Sequence, residues 1–180
     1  MTEAIEQIRR MDTQPHPTEF EIYPLLLEEI ESISHHEVNF NLSEMLKSIK
    51  IYADKDHTRL VFNNLFKNAV RATEKKAAEY LVEDSDEEYM QTIVINVIEV
   101  NPLSIALQMF DNGIGLLPNV RKRLYVERCS TQQGEEHGYG GIIIRKLLDL
   151  NGGAIQVVDT QYGGIGSLTI QKITLPTGSK

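Results

Sequence analysis

Residues 54–81, DKDHTRLVFNNLFKNAVRATEKKAAEYL, carry the longest helical pattern in the chain and constrain the fold more than any other stretch. Asp54 or Asp56 can cap its start. At about 100° per residue, Val61, Phe62, Leu65, Phe66, Ala69, Val70 and Ala72 cover one broad apolar arc that needs a packing partner. Along the edge of that arc run Asn64, Asn68, Arg71 and Lys75, at i, i+4, i+7 and i+11. Asparagine is a mediocre helix former and is costly to bury without partners. Two asparagines stacked one turn apart, followed by an arginine, suit the wall of a polar cavity. An amide oxygen can ligate Mg²⁺, and a guanidinium can neutralise phosphate oxygens. A solvated helix face would show the same residues, so this helix alone leaves both readings open.

The flanking segments supply the partner. YPLLLEEIESI (23–33) has helical spacing with Pro24 near its start, and EVNFNL (37–42) alternates as a half-buried strand. SIKIYA (48–53), TIVINVIEV (92–100), LSIALQMF (103–110), AIQVVDT and SLTIQKITLP add further strands. GIIIRKLLDLNGG (141–153) is a helix stopped by Asn151-Gly152. The sum is an α/β two-layer sandwich: a mixed, mostly antiparallel sheet with helices on one face. Neither G-x-G-x-x-G after a first strand nor a Walker A sequence is present, which argues against a doubly wound sheet.

The 180 residues, 41% of them hydrophobic, suit one globular domain. A net charge of −8 disfavours a nucleic-acid surface. No run is long and apolar enough for a membrane span, and MTEAIEQIRRMDTQPHPTEF lacks an apolar signal core. The single cysteine, Cys129, excludes an intrachain disulfide and reads as a small filler. The expectation is a cytoplasmic protein whose segment touches no membrane. An acidic chain can still hold a phosphate-rich small ligand through local cations and backbone N–H groups.

Two glycine-containing regions point that way. In DNGIGLLPN (111–119), Asp111 follows an apolar strand, and Gly113 and Gly115 allow close backbone approach to a ligand. A carboxylate there can accept from an exocyclic amino group such as that of adenine. In EEHGYGGIIIRKLL, Gly138, Gly140 and Gly141 stand immediately before a helix, whose first N–H groups form a natural phosphate cradle. Each alone is compatible with a turn or plain loop; the order of the three segments carries the weight.

That order resembles the ATP-binding catalytic domain of bacterial sensor histidine kinases, within the GHKL superfamily of gyrases, heat-shock chaperones, histidine kinases and mismatch-repair proteins. The flavour is similar to nitrogen-regulation-type sensor kinases. VFNNLFKNAVRAT resembles the N box, DNGIGLLP the G1 box and HGYGGIIIRKLLDLNGG the G2 box; GGIGSLTIQKITLP resembles the closing hairpin. LYVERCSTQQG resembles the segment between the glycine boxes, with Tyr125 where the family has phenylalanine. The resemblance implies a catalytic domain over 18–178, after a linker or the tail of an upstream helix at 1–17.

It further implies that Asn68 ligates Mg²⁺ bridging the ATP phosphates. Asn64 stands where hydrolysing branches place a water-activating glutamate, and an amide cannot be that base. Arg71 would contact phosphate or ribose, and Asp111 the adenine amino group, with Gly113 and Gly115 shaping the wall. Gly138, Gly140 and Thr131 would belong to the phosphate side, and 116–141 would form a lid, mobile without nucleotide. The implied activity is transfer of the γ-phosphoryl group to a histidine on a separate dimerisation domain, followed by a response regulator.

Three positions depart from the pattern: Glu136 replaces the first G2 glycine, Gly141 the leucine after the last, and Gln132 the lysine after Ser-Thr. His35-His36-Glu37 lacks the following proline and a helical hairpin, so both histidines read as loop residues. His16, His57 and His137 show no metal spacing. Two other functions stay open: a degenerate nucleotide-binding or scaffolding module, and an anti-sigma-type serine kinase of the same fold.

Overall fold

The buried arc of the long helix and the alternation of the strands meet as a single interior. The computed structural model describes residues 14–33, 38–82, 89–127, 138–164 and 166–178. In chain order the elements are β1 (Thr18–Glu21), α1 (Ile22–Ile33), β2 (Asn39–Leu42), a short 3-10 helix (Glu44–Ser48), β3 (Lys50–Ala53) and α2 (Lys55–Val82). Then follow β4 (Thr92–Val100), β5 (Ser104–Asp111), α3 (Pro118–Arg123), α4 (Gly140–Leu150), β6 (Ala154–Gln161) and β7 (Leu168–Pro176).

The main sheet runs β2-β4-β5-β7-β6. Only β2 and β4 pair in parallel; the remaining neighbours are antiparallel. β1 and β3 form a separate antiparallel ribbon. The result is the expected mixed, mostly antiparallel sheet carrying helices. Because side chains alternate along a strand, β4, β5 and β7 send Ile93, Ile95, Ile105, Leu107, Met109, Ile173 and Leu175 to one buried face. On that face lie Phe62, Leu65, Phe66 and Ala69 of α2 and Ile143, Ile144, Leu147 and Leu148 of α4. Phe66 anchors it with an edge-on contact to Phe40, 5.5 Å between centroids.

Three elements escape the sequence reading. β1 is short and gains its identity by pairing with Lys50–Ala53. The 3-10 helix forms because the Ser43 hydroxyl accepts from Met45 N (3.4 Å), which delays the predicted 48–53 strand to Lys50. α3 is six residues long with none buried, so it leaves no apolar period to read.

The cap of α2 is part of a knot. Asp54 accepts from His57 N (2.9 Å) and His16 N (2.8 Å), holding its carboxyl below the usual range against the opposing effect of burial. Asp54 N in turn donates to Asn151 Oδ1 (2.7 Å), and Asn151 Nδ2 donates to Leu147 O (2.8 Å) and approaches His57 Nδ1 (3.2 Å). The start of α2 and the end of α4 are thereby fastened together. Gly152 follows at φ 73°, the left-handed stop foreseen for α4.

Candidate nucleotide site

The buried seam of α2 changes chemistry along its length. Phe62, Phe66 and Ala69 give way to Thr73 and Lys76, both almost fully buried. The sheet face beneath changes in step: past Met109 and Ile173 stand Asp111, Gln171, Thr169 and Ser167, all buried. Asp111 and Thr169 are directly opposite across β5 and β7. A polar floor thus closes one end of an apolar interior, and buried polar groups persist only when partnered.

The partners are present. Asp111 Oδ1 accepts from Gly113 N (3.1 Å). Lys76 Nζ donates to Ser167 O (3.0 Å) and lies 5.2 Å over the Tyr89 ring. Ser167 Oγ donates to Gly113 O (2.8 Å). Burial pushes the Asp111 carboxyl up to about 7, opposed by the Gly113 N–H and the Lys76 charge. Burial likewise lowers Lys76, against the pull of Asp111 and Glu79. Asn112 is a structural brace: its Oδ1 accepts from Thr92 N (2.8 Å), its Nδ2 donates to Met90 O (2.8 Å), and the Tyr89 hydroxyl meets its oxygens at 3.0 and 3.1 Å.

The two glycines beside Asp111 serve protein packing. A Cβ on Gly113 would lie 2.6 Å from Ala72 C, and Ile114 N donates to Ala72 O (3.1 Å). Gly115 sits at φ 73°, and a Cβ there would lie 1.9 Å from Gln161 O. The space at both positions, expected to admit a ligand, is instead taken up by protein: Ala72 of α2 at Gly113 and the backbone of the β6–β7 hairpin at Gly115.

About three turns back along α2 from Lys76 the helix edge opens to solvent. Asn64 is half-buried; its Nδ2 donates to Leu60 O (2.8 Å), which turns Oδ1 outward. Asn68, Arg71 and Lys75 are exposed. The start of α4 comes over this edge: a Cβ on Gly140 would lie 3.4 Å from Asn64 Oδ1 and 3.8 Å from Asn68 Nδ2. Gly138 adopts φ 98°. The fold therefore brings Asn64, Asn68 and Gly140 together at one edge of α2, while Asp111 is buried where Gly113 packs on Ala72, further along the same helix. Thr131, Gln132, Glu136, His137, Cys129, His35 and His36 lie outside the described residues.

Residues 53–178 match the family model of histidine kinase-, DNA gyrase B- and HSP90-like ATPases. The chain belongs to this ATPase family. Two curated relatives, the adaptive-response sensory kinases SasA of two Prochlorococcus marinus strains, are each 26% identical, over 138 and 147 residues. The alignments take in 74% and 79% of this chain, which spans about a third of the relatives' length, 33% and 35%. Among solved structures, a mycobacterial sensor histidine kinase MprB superposes with a TM-score of 0.68 at 15% identity, covering 89% of this chain and 97% of that one. The catalytic domain of histidine kinase ThkA gives 0.66 at 18% identity, covering 90% and 96%. Full-length ShkA in complex with AMPPNP gives 0.67 at 19% identity, covering 98% of this chain and 35% of that one. These likenesses fix the fold of the ATPase domain.

The amide edge, the carboxylate floor and the helix-start glycine were all visible in the sequence of this ATPase domain. Thr169, Gln171, Ser167, Lys76 and Tyr89 were not singled out there. One signal was available: the alternation of SLTIQKITLP puts Ser167, Thr169 and Gln171 on the same face as Ile173 and Leu175. Three polar side chains on a buried strand face mark a site.

Proposed function

We propose that residues 18–178 form a catalytic domain that binds ATP with Mg²⁺, preceded by a linker or helix tail over 1–17. The domain would pass the γ-phosphoryl group to a histidine on a separate dimerisation domain, which then serves a response regulator in the cytoplasm. One observation supports this above all. The start of α4 lies against the amide edge of α2: a Cβ on Gly140 would come within 3.4 Å of Asn64 Oδ1 and 3.8 Å of Asn68 Nδ2, on the same helix whose Ala72 packs on Gly113 beside the buried Asp111.

The residues present fit the cation and the nucleotide. Amide oxygens are hard donors of the kind Mg²⁺ takes, and glycine at 140 spares Asn64 Oδ1 a methyl at 3.4 Å. Asn68 would hold the ion, with Asn64 beside it. Bound there, Mg²⁺ would supply charge neutralisation to the phosphates. Arg71, exposed one turn further along, would contact phosphate or ribose, and the first N–H groups of α4 would add donors for the phosphates. Gly138 and Thr131 would flank the phosphates. Asp111, when ionised, would accept from the exocyclic amino group of the base, with Gly113 and Gly115 keeping the wall in place.

Asn64 argues for transfer over hydrolysis, because an amide cannot deprotonate water. Catalysis would rest on positioning and charge neutralisation. We keep the nitrogen-regulation subtype as a reading of the motifs alone. Calorimetric titration with ATP and ADP in Mg²⁺ tests the proposal: binding is expected, and none at millimolar nucleotide would favour the scaffolding module. The isolated chain should take up no γ-phosphate itself; incorporation would overturn the assignment of the acceptor to another domain.

A further inference from the structure

The polar floor holds one side chain that the proposed chemistry does not use. Between α3 and the end of the described strap, residues 121–127 are exposed except for Leu124 and Tyr125. Tyr125 turns inward against the core, and its hydroxyl donates to Gln171 Oε1 on the buried sheet face. Gln171 and Asp111 lie on that face as diagonal neighbours, since Gln171 is opposite Met109 and Asp111 is opposite Thr169. Diagonal neighbours on adjacent strands are roughly 7–8 Å apart. The Tyr125 hydroxyl therefore sits at the end of the cleft where a base would meet Asp111. Its ionisation is suppressed by burial first and by the Asp111 carboxylate second, which places both groups in one electrostatic neighbourhood.

The backbone beside Tyr125 is seated just as closely. A Cβ on Gly141 would lie 1.9 Å from Leu124 O and 3.0 Å from Leu124 C. Gly141 is the position at which the resembled family carries leucine, so the seat for Leu124 exists because this chain has glycine there. Two further bonds lay the strap on β6: Arg121 Nη2 donates to Val158 O (2.9 Å), and Leu116 N donates to Thr160 Oγ1 (2.8 Å).

We propose that Tyr125 is a latch: it holds the 116–127 strap shut over the base end of the cleft and must withdraw before a base reaches Asp111. The aromatic ring and hydroxyl fill the place of a planar, hydrogen-bonding ligand, and Gly141 gives the strap its seat. Nucleotide then binds only the unlatched fraction of molecules, and its apparent affinity is reduced by that fraction. This inference rests on the nucleotide reading above for its consequence, and on the strap geometry alone for the latch itself.

The test uses the full chain with Tyr125→Phe, which keeps the ring and removes the hydroxyl, and with Gln171→Met, which removes the acceptor from the other side. Amide hydrogen exchange over 120–127 reports the strap without any ligand, and Mg-ATP titration reports its consequence. One hydrogen bond of ordinary net strength corresponds to roughly a fivefold population change. Each variant should accordingly exchange about fivefold faster in the strap and bind Mg-ATP about fivefold more tightly, and the double variant should add little more. Unchanged exchange in both variants overturns the latch. Faster exchange with unchanged, measurable Mg-ATP affinity overturns its opposition to the base. Faster exchange while neither variant nor parent binds nucleotide upholds the latch and overturns the nucleotide reading instead.

Discussion

The two ends of the cleft are built from opposite materials. At the floor, Asp111, Gly113, Lys76, Ser167, Asn112 and Tyr89 are joined by hydrogen bonds to one another or to adjacent backbone. At the rim, Asn68, Arg71 and Lys75 stand in solvent on one helix face. Changing a floor residue disturbs a bonded, buried set, whereas changing an exposed rim residue such as Asn68 disturbs no buried packing. A ligand-facing floor made from load-carrying groups is positioned before any ligand arrives, as electrostatic preorganisation requires. The rim carries its cations on long side chains that can adjust.

The sharpest way to break this contrast is at Gly115. Gly115→Ala places a methyl 1.9 Å from Gln161 O at positive φ, and we expect a loss of roughly 3 kcal/mol or more in urea unfolding. A loss below 1 kcal/mol would mean that the floor loop is not welded to the hairpin. Gly152→Ala is the control: φ is again 73°, with nothing within 4 Å of the added atom, so only about 1 kcal/mol of backbone strain is expected.

Asp111→Asn comes next, and its effect depends on pH. With a folded value of about 7 against 3.8 unfolded, the carboxyl keeps its proton in the fold while the unfolded chain releases it. Its contribution is therefore fully present below pH 3.8 and is lost as pH rises towards 7. The asparagine variant escapes that loss, and its amide oxygen still serves Gly113 N. Relative to the parent it should gain roughly 1–3 kcal/mol between pH 5 and pH 8, read from urea midpoints. Mg-ATP binding by the parent should tighten over the same interval, as Asp111 becomes an ionised acceptor. A flat stability difference would show that Asp111 ionises in the fold as it does in water.

The smallest effects on stability belong to the rim. Asn68→Ala should shift unfolding by under about 0.5 kcal/mol while weakening Mg-dependent nucleotide binding by at least about tenfold. A destabilisation comparable to that of Gly115→Ala would dissolve the distinction between rim and floor.

Legibility in the sequence follows the same division. The rim was readable because α2 is a continuous periodic segment: Asn64, Asn68 and Arg71 declare their common edge by spacing alone. Asp111 was readable from its place between an apolar strand and two glycines. The rest of the floor was not, because Gln171 and Thr169 acquire their meaning from the β5–β7 register, which joins residues some sixty positions apart. Gly113 and Gly115 read as room for a ligand, but the neighbours they admit are Ala72 and Gln161, which only the folded packing could reveal. Tyr125 lies after a helix too short to show a period; the turn through Arg123 O carries it, but the contacts of its hydroxyl with Gln171 and of Leu124 with Gly141 come from distant segments that the local sequence does not announce.

The knot of Asp54, His57 and Asn151 makes a lever of α4. It pins the helix at its C-terminal end, eleven residues from Gly140. At about 1.5 Å per residue the arm is roughly 15 Å long, so a tilt of about 5° at the pinned end carries Gly140 about 1.3 Å across the asparagines. The gap at the rim is thus tied to a knot about two turns before Asn64 on α2, outside the rim itself. A substitution at Asn151, remote from every group that would touch a nucleotide, changes the spacing between Gly140 and Asn64 by moving the fulcrum.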